Sequence, residues 1–295
     1  MDNDANWELY RTFLGVLEHA SLSGAGRALG LAQPTVGRHV AALEKELGLA
    51  LFTRSPAGLT PTDAALDLRV YVEAMRSNAA ALRRAVGSHG DGVRGTVRIS
   101  ASDMIGVEVL PSILAALGAE YPELRIELVL SNRVHDLLRR EADIAVRMTP
   151  PRQDLLIARR VGTVELGLFA HADYLARRGA PARPAELASH ALIGFDEETP
   201  FLRAAKKWLP GWQRENFAQR TDSDVAQLAL IRAGAGIGIC QVAIGARDPR
   251  LVRVLANDVT IPLETWLVMH EDLRNSARCR VAFDGLVEGL LRHVA

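Results

Sequence analysis

Two cysteines, Cys240 and Cys279, occur in 295 residues, too few for a disulfide framework and too far apart for a CxxC metal cluster. Both are expected to be small buried hydrophobes; only Cys279, between Arg278 and Arg280, has basic neighbours of the kind that activate a thiolate. Neither sign of charge is in excess, since 35 Lys and Arg balance 35 Asp and Glu. No global positive field therefore advertises nucleic acid or an anionic membrane, and any nucleic-acid contact has to come from a local motif. No charge-free apolar run approaches the ~18 residues of a membrane span, and the opening MDNDANWELY carries acids in place of the basic start of an export signal. A cytoplasmic protein is expected. The eight histidines are scattered, without HExxH or a close ligand pair, so neither a metal nor another cofactor is expected. A nucleophile elbow, a phosphate loop and a dinucleotide fingerprint are also missing: Gly234, Gly236 and Gly238 give only GxGxG, late in the chain. Catalysis is not expected.

What is present is enough apolar material for ordinary cores, 48% of the residues, in a length that suits two domains of ~100 to 200 residues each. The densest punctuation, Gly87, Ser88, His89, Gly90, Asp91, Gly92 and Gly95, marks the main boundary. Before it the chain reads at helical spacing. After it, short β-branched runs alternate with helical ones.

In the head, Tyr10, Phe13, Leu14 and Leu17 recur at i, i+3, i+4 and i+7 and predict a first helix with one buried face. Ser23 is the expected N-cap of a short second helix, Gly24 to Leu29, closed by Gly30. Pro34 falls in the first turn of a third helix, whose stripe is Val36, Val40, Leu43 and Leu47 and whose stop is Gly48. Two short helices joined by a turn containing Gly form a helix-turn-helix, whose second helix can enter a DNA major groove. The segment Leu51 to Thr62, broken by Pro56, Gly58 and Pro61, suits a β-wing. Beyond it Leu68, Val72, Met75, Ala79, Leu82 and Val86 alternate four and three apart, a heptad seam that asks for a partner helix. The same spacing also fits a single helix lying on its own domain.

The body opens with a strand at Thr96 to Ser100, a helix through Val109 to Leu117, a strand at Arg125 to Leu130, a helix containing Val134, Leu137 and Leu138, and a strand at Ile144 to Met148. That order, β-α-β-α-β, predicts a parallel sheet with ligands at the carboxyl ends of its strands. Further strands are expected at Glu165 to Ala170, Gly236 to Cys240 and Thr265 to His270, and a last helix from Arg278 to Leu291.

The stretch SLSGAGRALGLAQPTVGRHVAALEKELGLALFTR, Ser21 to Arg54, resembles the winged helix-turn-helix of the LysR-type transcriptional regulators. An Ala-rich second helix, Gln-Pro opening the recognition helix, an Arg in its next turn, LE(x)ELG and LF(x)R follow one another in the family's order. So do AEYPELRIEL at Ala119 to Leu128, EADIAVR at Glu141 to Arg147 and AGAGIGI at Ala233 to Ile239. The resemblance implies a winged helix-turn-helix over residues 1–62 and a linker and dimerisation helix with a hinge over 63–92. Residues 93–295 would form a two-lobed α/β effector domain like a periplasmic binding protein, with lobe one at 93–161 plus 268–295 and lobe two at 162–267. It also implies a homodimer through Leu68, Val72, Met75, Ala79, Leu82 and Val86, a tetramer of such dimers on promoter DNA, contact with RNA polymerase, and a small-molecule effector that modulates binding or bending. The other function weighed is a small-molecule binding protein of the solute-binding type with no regulatory role, which would leave the helical head without a use.

Gln33, Pro34, Thr35, Gly37 and Arg38 begin the recognition helix, where side chains reach base edges; Arg grips guanine O6 and N7, and Gln pairs with adenine. Arg27 and Arg54 suit phosphate contacts. Residues 11–60 carry five basic side chains (Arg11, Arg27, Arg38, Lys45, Arg54) against three acidic ones (Glu18, Glu44, Glu46), a weak local field of +2. Three positions depart from the family pattern: Ala32 and Gly37 stand where serines are usual, and Gly26 replaces an alanine. A lost Ser cap costs about 1 kcal/mol and an interior helical glycine ~0.5 to 1 kcal/mol against Ala.

In the body, Ser100, Ser102, Asp103 and Met104 follow the first strand and lead into a helix whose N-terminus suits an anionic effector, although Asp103 could fill that site itself. By resemblance, Ser131, Asn132 and Arg133 face the same cleft, and Phe201, Thr221, Asp222 and Ser223 approach it from lobe two.

Overall fold

The computed structural model describes residues 6–55, 58–86, 93–132, 141–150, 156–198, 203, 209 and 211–294. The chain divides into two compact units, Met1–Val86 and, residues 139–141 apart, Gly87–Ala295.

The first unit opens with α1 (Trp7–His19), capped by the Asn6 side chain, which accepts from Glu8 N, and then α2 (Leu22–Leu29). The N-cap of α2 is Ser21, whose hydroxyl accepts from Gly24 N at 3.0 Å, and not the expected Ser23; the helix starts two residues earlier because Ser21 holds the extended backbone that a cap requires. Gly30 closes α2 in the left-handed region at φ 69°. α3 (Gln33–Leu47) follows, with Pro34 in its first turn and Gly48 at its end. β1 (Phe52–Ser55) and β2 (Gly58–Pro61) pair antiparallel as the wing, and Leu59 N donates to Ala20 O at 3.0 Å, which pins the wing to the α1–α2 turn. α4 (Asp63–Val86) completes the unit.

Phe13, Leu43, Leu51, Ala65 and Val72 are fully buried in one cluster, with Leu68 and Met75 packed against it. Half of the expected heptad seam is therefore spent on the head's own core. Leu68, Val72 and Met75 are turned inward; Leu82 is 65% exposed, Ala79 is half-buried, and the Val86 side chain lies outside the described residues. The other side of α4 carries Leu66, Val70 and Ala74 at intervals of four, beside Tyr71.

The second unit holds a nine-stranded mixed sheet in the order β4-β3-β5-β11-β6-β9-β7-β8, with β10 also paired to β6. Its strands are β3 (Gly95–Ala101), β4 (Leu124–Leu130), β5 (Ile144–Arg147), β6 (Leu156–His171), β7 (Leu192–Gly194), β8 (Phe217–Arg220), β9 (Ile237–Gln241), β10 (Leu251–Val254) and β11 (Ile261–His270). The expected strands at 165–170 and 265–270 are the inner parts of β6 and β11, which pair antiparallel from Ile261↔Leu166 to His270↔Leu156 with a register shift between Thr265 and Trp266. β5 joins the Trp266–Met269 part of β11, whereas β9 and β10 join β6 beyond Val164. Two long strands thus run through both halves of the sheet.

The helices of this unit are α5 (Asp103–Glu108), α6 (Leu110–Glu120), α7 (Ala172–Arg178), α8 (Asp224–Arg232), the short α9 (Val242–Gly245) and α10 (Ala277–Val294). The single helix expected near Val109 is two, because Pro111 opens α6 and Val109 leaves helical geometry at φ −120°. The expected helix at Val134 lies outside the described residues. One apolar core holds Ile99, Ile105, Leu110, Leu267 and Leu286 and continues through Phe169, Leu228, Ile231 and Cys240 on the other half. A second core gathers Leu168, Leu192, Leu209, Trp212 and Phe217, with the Trp212 and Phe217 rings edge to face at 5.2 Å.

The two glycines of the helix-turn-helix differ in their surroundings. A Cβ on Gly26 would lie 2.7 Å from the Leu31 carbonyl oxygen, whereas on Gly37 it would meet only Leu22 Cδ1 at an ordinary 3.6 Å. Gly26 is what lets the turn close this tightly, and Gly37 is a helix-weakening residue with room to spare. Chemical denaturation followed by circular dichroism is expected to show Gly37→Ala stabilising the head by roughly 0.5 to 1 kcal/mol. Gly26→Ala should destabilise it despite alanine's higher helix propensity; equal gains from both would refute the close approach.

Candidate DNA-reading and effector sites

The first turn of α3 is presented to solvent by three buried contacts behind it. Val36, Val40 and Leu43 are sunk in the head, while Gln33, Pro34 and Arg38 are exposed and Thr35 and Gly37 half-buried. Ala32 occupies the N-cap and makes no side-chain cap bond, as its methyl side chain requires. Arg38 Nη2 donates to Thr35 Oγ1 at 3.4 Å, so the two residues placed at base edges by the sequence adjoin one another. Arg27 is exposed on α2. Arg54 lies on β1, and its side chain is outside the described residues.

Two positioning contacts escaped the sequence reading. Thr12 Oγ1 donates to Glu8 O at 2.7 Å and lies 2.9 Å from His39 Nδ1. A hydroxyl has one proton, so His39 Nδ1–H is the donor to Thr12, and the ring ties α3 to α1. Glu44, noted above only as one of the head's acids and within the LE(x)ELG pattern, accepts from Leu51 N at 2.8 Å and Phe52 N at 3.2 Å. Its carboxylate thereby fixes the start of the wing from the last turns of α3 with charge-assisted bonds. Only the resemblance marked Glu44, and nothing in the local pattern marked Thr12 or His39.

In the second unit, Ser100 lies near the end of β3, almost fully buried, and Arg147 Nη1 donates to its Oγ at 3.4 Å and to Val146 O at 3.2 Å. Ser102 precedes α5 without a side-chain cap bond. Met104, expected at the effector cleft, is buried in the main apolar core. Ser131 N donates to Ala101 O, extending the β3–β4 pairing. Asn132 is central: its Oδ1 accepts from Asp103 N at 3.2 Å and its Nδ2 donates to Asp224 Oδ2 at 3.3 Å. The two halves meet here through Asn132 and Asp224, a residue beside the expected Thr221, Asp222 and Ser223 and not one of them. Arg133 and Phe201 lie outside the described residues.

Three of the expected contacts from the far half are committed to local bonding. Thr221 O accepts from Gln227 Nε2, Asp222 Oδ1 accepts from Asp196 N and Glu197 N, and Ser223 Oγ caps α8 through Ala226 N. The neighbouring Asp224, not singled out from the sequence, carries the unusual chemistry. Burial, and then the nearby Asp103 charge, push its carboxyl up to about 6. Negative charge from Asp103 and Asp224 opposes an anion at the start of α5, and among the described residues Arg147, at Ser100, is the positive group that would favour one. Glu108, at the other end of α5, is gripped by Arg232 with two bonds of 2.7 and 3.0 Å, and that hydrogen-bonded guanidinium holds its carboxyl below the usual range.

The thiols are inert by setting. Both are buried, and burial pushes Cys240 up to about 12. Among the described residues no group of His, Cys, Asp or Glu could hold a metal ion, and no helix is long and apolar enough to cross a membrane.

Comparison with known proteins assigns both units. Residues 7–66 match the family model described as a bacterial regulatory helix-turn-helix protein of the lysR family, and residues 90–290 match the LysR substrate binding domain. The chain is 29% identical over 293 residues to the HTH-type transcriptional regulator CrgA of Neisseria meningitidis, covering 97% of each. It is 32% identical over 195 residues to an HTH-type transcriptional regulator of Xanthomonas campestris, covering 66% of this chain and 56% of that protein. The solved structure of CrgA superimposes with a TM-score of 0.60 at 25% identity, over 97% of this chain and 99% of that one. CbnR, a LysR family transcriptional regulator, superimposes with a TM-score of 0.69 at 19% identity over 98% and 99% of the two chains, which shows a shared fold. With a helix-turn-helix in the first unit, a substrate-binding domain in the second and regulators rather than enzymes as its relatives, the chain belongs to the LysR family of DNA-binding transcriptional regulators.

Proposed function

We propose that this regulator works in the cytoplasm as a homodimer, and as a pair of dimers on promoter DNA, reading bases with Gln33, Thr35 and Arg38 and gripping phosphates with Arg27 and Arg54. The observation that carries the reading is the exposed first turn of α3, held against α1 by the Thr12–His39 contact and joined to the wing by Glu44. The Arg38–Thr35 bond is long, so a base or phosphate can displace it at little expense. The local field is weak, and affinity then depends on several half-sites bound together. CbnR has been solved in complex with its target DNA, which supports the same use of the head here.

The dimer contact is best placed on the outer face of α4. Leu66, Val70 and Tyr71 are 47%, 44% and 67% exposed, whereas Leu68, Val72 and Met75 are occupied within the head. A small-molecule effector would sit between the two halves of the second unit, which act as lobes divided near residues 161 and 268. Its neighbours would be Ser100, Ser102, Ser131, Asn132 and Arg147, with Thr221 approaching from the second lobe. β6 and β11 join the lobes, and their register shift at Thr265/Trp266 gives a place for rotation. An effector that binds one lobe arrangement better than the other shifts the spacing of the heads, the bend of the promoter and any contact with RNA polymerase.

Binding of promoter fragments by Arg38→Ala is expected to lose sequence discrimination by about 1 to 3 kcal/mol at one base step while retaining most of its salt slope. A uniform loss across all sequences would make Arg38 a phosphate contact instead. Light scattering is expected to show Val70→Glu as a folded protein of reduced association state. Val72→Glu places a charge in a fully buried site of the head and should unfold it. Unchanged association in Val70→Glu would remove this face from the interface.

A further inference from the structure

Helices α5 and α8 come from opposite halves of the sheet and lie along each other in the same direction. Their beginnings meet through Asp103, Asn132 and Asp224, and their ends through Glu108 and Arg232. The two ends have opposite electrostatics. The far end is a two-bond ion pair, reinforced by Arg247 Nη1, which donates to Glu108 O at 2.7 Å. The near end sets two carboxylates against each other with one Asn amide between them. Asn132 accepts from Asp103 N and donates to Asp224 Oδ2, so its amide joins the Asp103 backbone to the Asp224 carboxylate.

We propose that the α5–α8 seam is a proton-responsive latch between the two halves of the effector unit, closed when Asp224 carries a proton and strained apart by Asp103 when it does not. A proton on Asp224 cancels the like-charge repulsion, and no counter-cation on α5, after β4 or on α8 does the same work among the described residues. On α8's own side, Asp222 is turned to the Asp196 and Glu197 N–H groups, and Arg232 is occupied by Glu108. The sign follows from the raised Asp224 carboxyl, which binds its proton more tightly in the folded protein than in the unfolded chain. The stabilisation is full below the ordinary carboxylate range near 3.8 and is lost as pH rises through about 6.

A second titratable group, linked to the far end of the seam through Arg247, works in the opposite sense. His293 of α10 is buried, accepts from Arg247 Nη2 at Nδ1 (3.2 Å) and donates from Nε2 to Gln241 Oε1 (2.9 Å). A guanidinium only donates, so Nδ1 must be bare, and burial followed by the Arg247 charge lowers the ring's proton affinity. Acid strong enough to protonate His293 breaks its bond to Arg247. Its stabilisation is full above the ordinary His range and is lost as pH falls through the lowered value, so the latch is tested with this group neutralised.

The inference deepens the reading of two lobes that move, and its test does not use DNA. Hydrogen exchange of the full chain, corrected for intrinsic rates, is followed at the α5 and α8 amides on either side of pH 6 in a His293→Gln background, where Gln keeps an acceptor for Arg247 and a donor for Gln241. We expect protection to fall several-fold as pH rises, and Asp224→Asn to stay protected and indifferent to pH. Asp103→Asn should move the Asp224 titration, read by carboxyl carbon NMR, toward the ordinary carboxylate range. The same pH dependence in Asp224→Asn as in its parent would overturn the latch, as would an Asp224 midpoint near 4. Either result leaves the Arg38 and Val70 experiments, and the regulator reading that they test, untouched.

Discussion

The pairing of β6 with β11 is the constraint on which the effector unit depends. Its ten matched pairs run from one end of the sheet's centre to the other, so each half is built by adding strands to a shared antiparallel ribbon: β5, β3 and β4 on one flank, β9, β7, β8 and β10 on the other. A backbone ladder of this length is stiff along its own direction, and the register shift at Thr265/Trp266 is where it gives. Everything proposed about the effector follows from that geometry, because a ligand between the halves can act only by changing how this ribbon bends. The apolar core that runs from Ile99 and Leu286 through to Leu228 and Ile231 limits the motion to arrangements that repack it as a unit.

Among the described residues, the polar contacts between α5 and α8 are of two different kinds, which gives them leverage. The Glu108–Arg232 pair is half-buried and hydrogen-bonded twice, a contact whose loss would leave a partly desolvated charge behind. The Asp103–Asn132–Asp224 contact at the other end depends on protonation. A seam clamped at one end and adjustable at the other is suited to pivoting, and the effector site proposed at Ser102 and Asn132 adjoins the adjustable end. An anionic effector is in tension with the acids beside it, and among the described residues Arg147 at Ser100 favours such a charge.

Much of the fold was legible from the residues because its signals are local. Gly30 and Gly48 end helices, Pro34 starts one, and the alternation at Thr96 to Ser100 is that of a strand; each rests on one residue's backbone preference. The fold class and the helix-turn-helix were recovered for that reason and through the motif of Ser21 to Arg54. Features that depend on partners distant in sequence were not legible. The seam at Leu68, Val72 and Met75 has the period of a coiled coil, yet the head supplies its partner, and periodicity alone does not say which surface a stripe meets. Met104 looked like a loop residue and is core. Asp224 looked like an ordinary first-turn acid of a helix, and its altered chemistry comes from burial and then from Asp103, more than a hundred residues earlier in the chain.

The central claim is that two heads of this protein, held by α4, read DNA as a symmetric pair. Sequencing the genomic fragments retained by the purified full-length chain tests it most directly. The account predicts enrichment of one interrupted inverted repeat whose half-sites lie about one helical turn, or a multiple of it, apart on one face of the duplex. Retained fragments that share no repeat would contradict it.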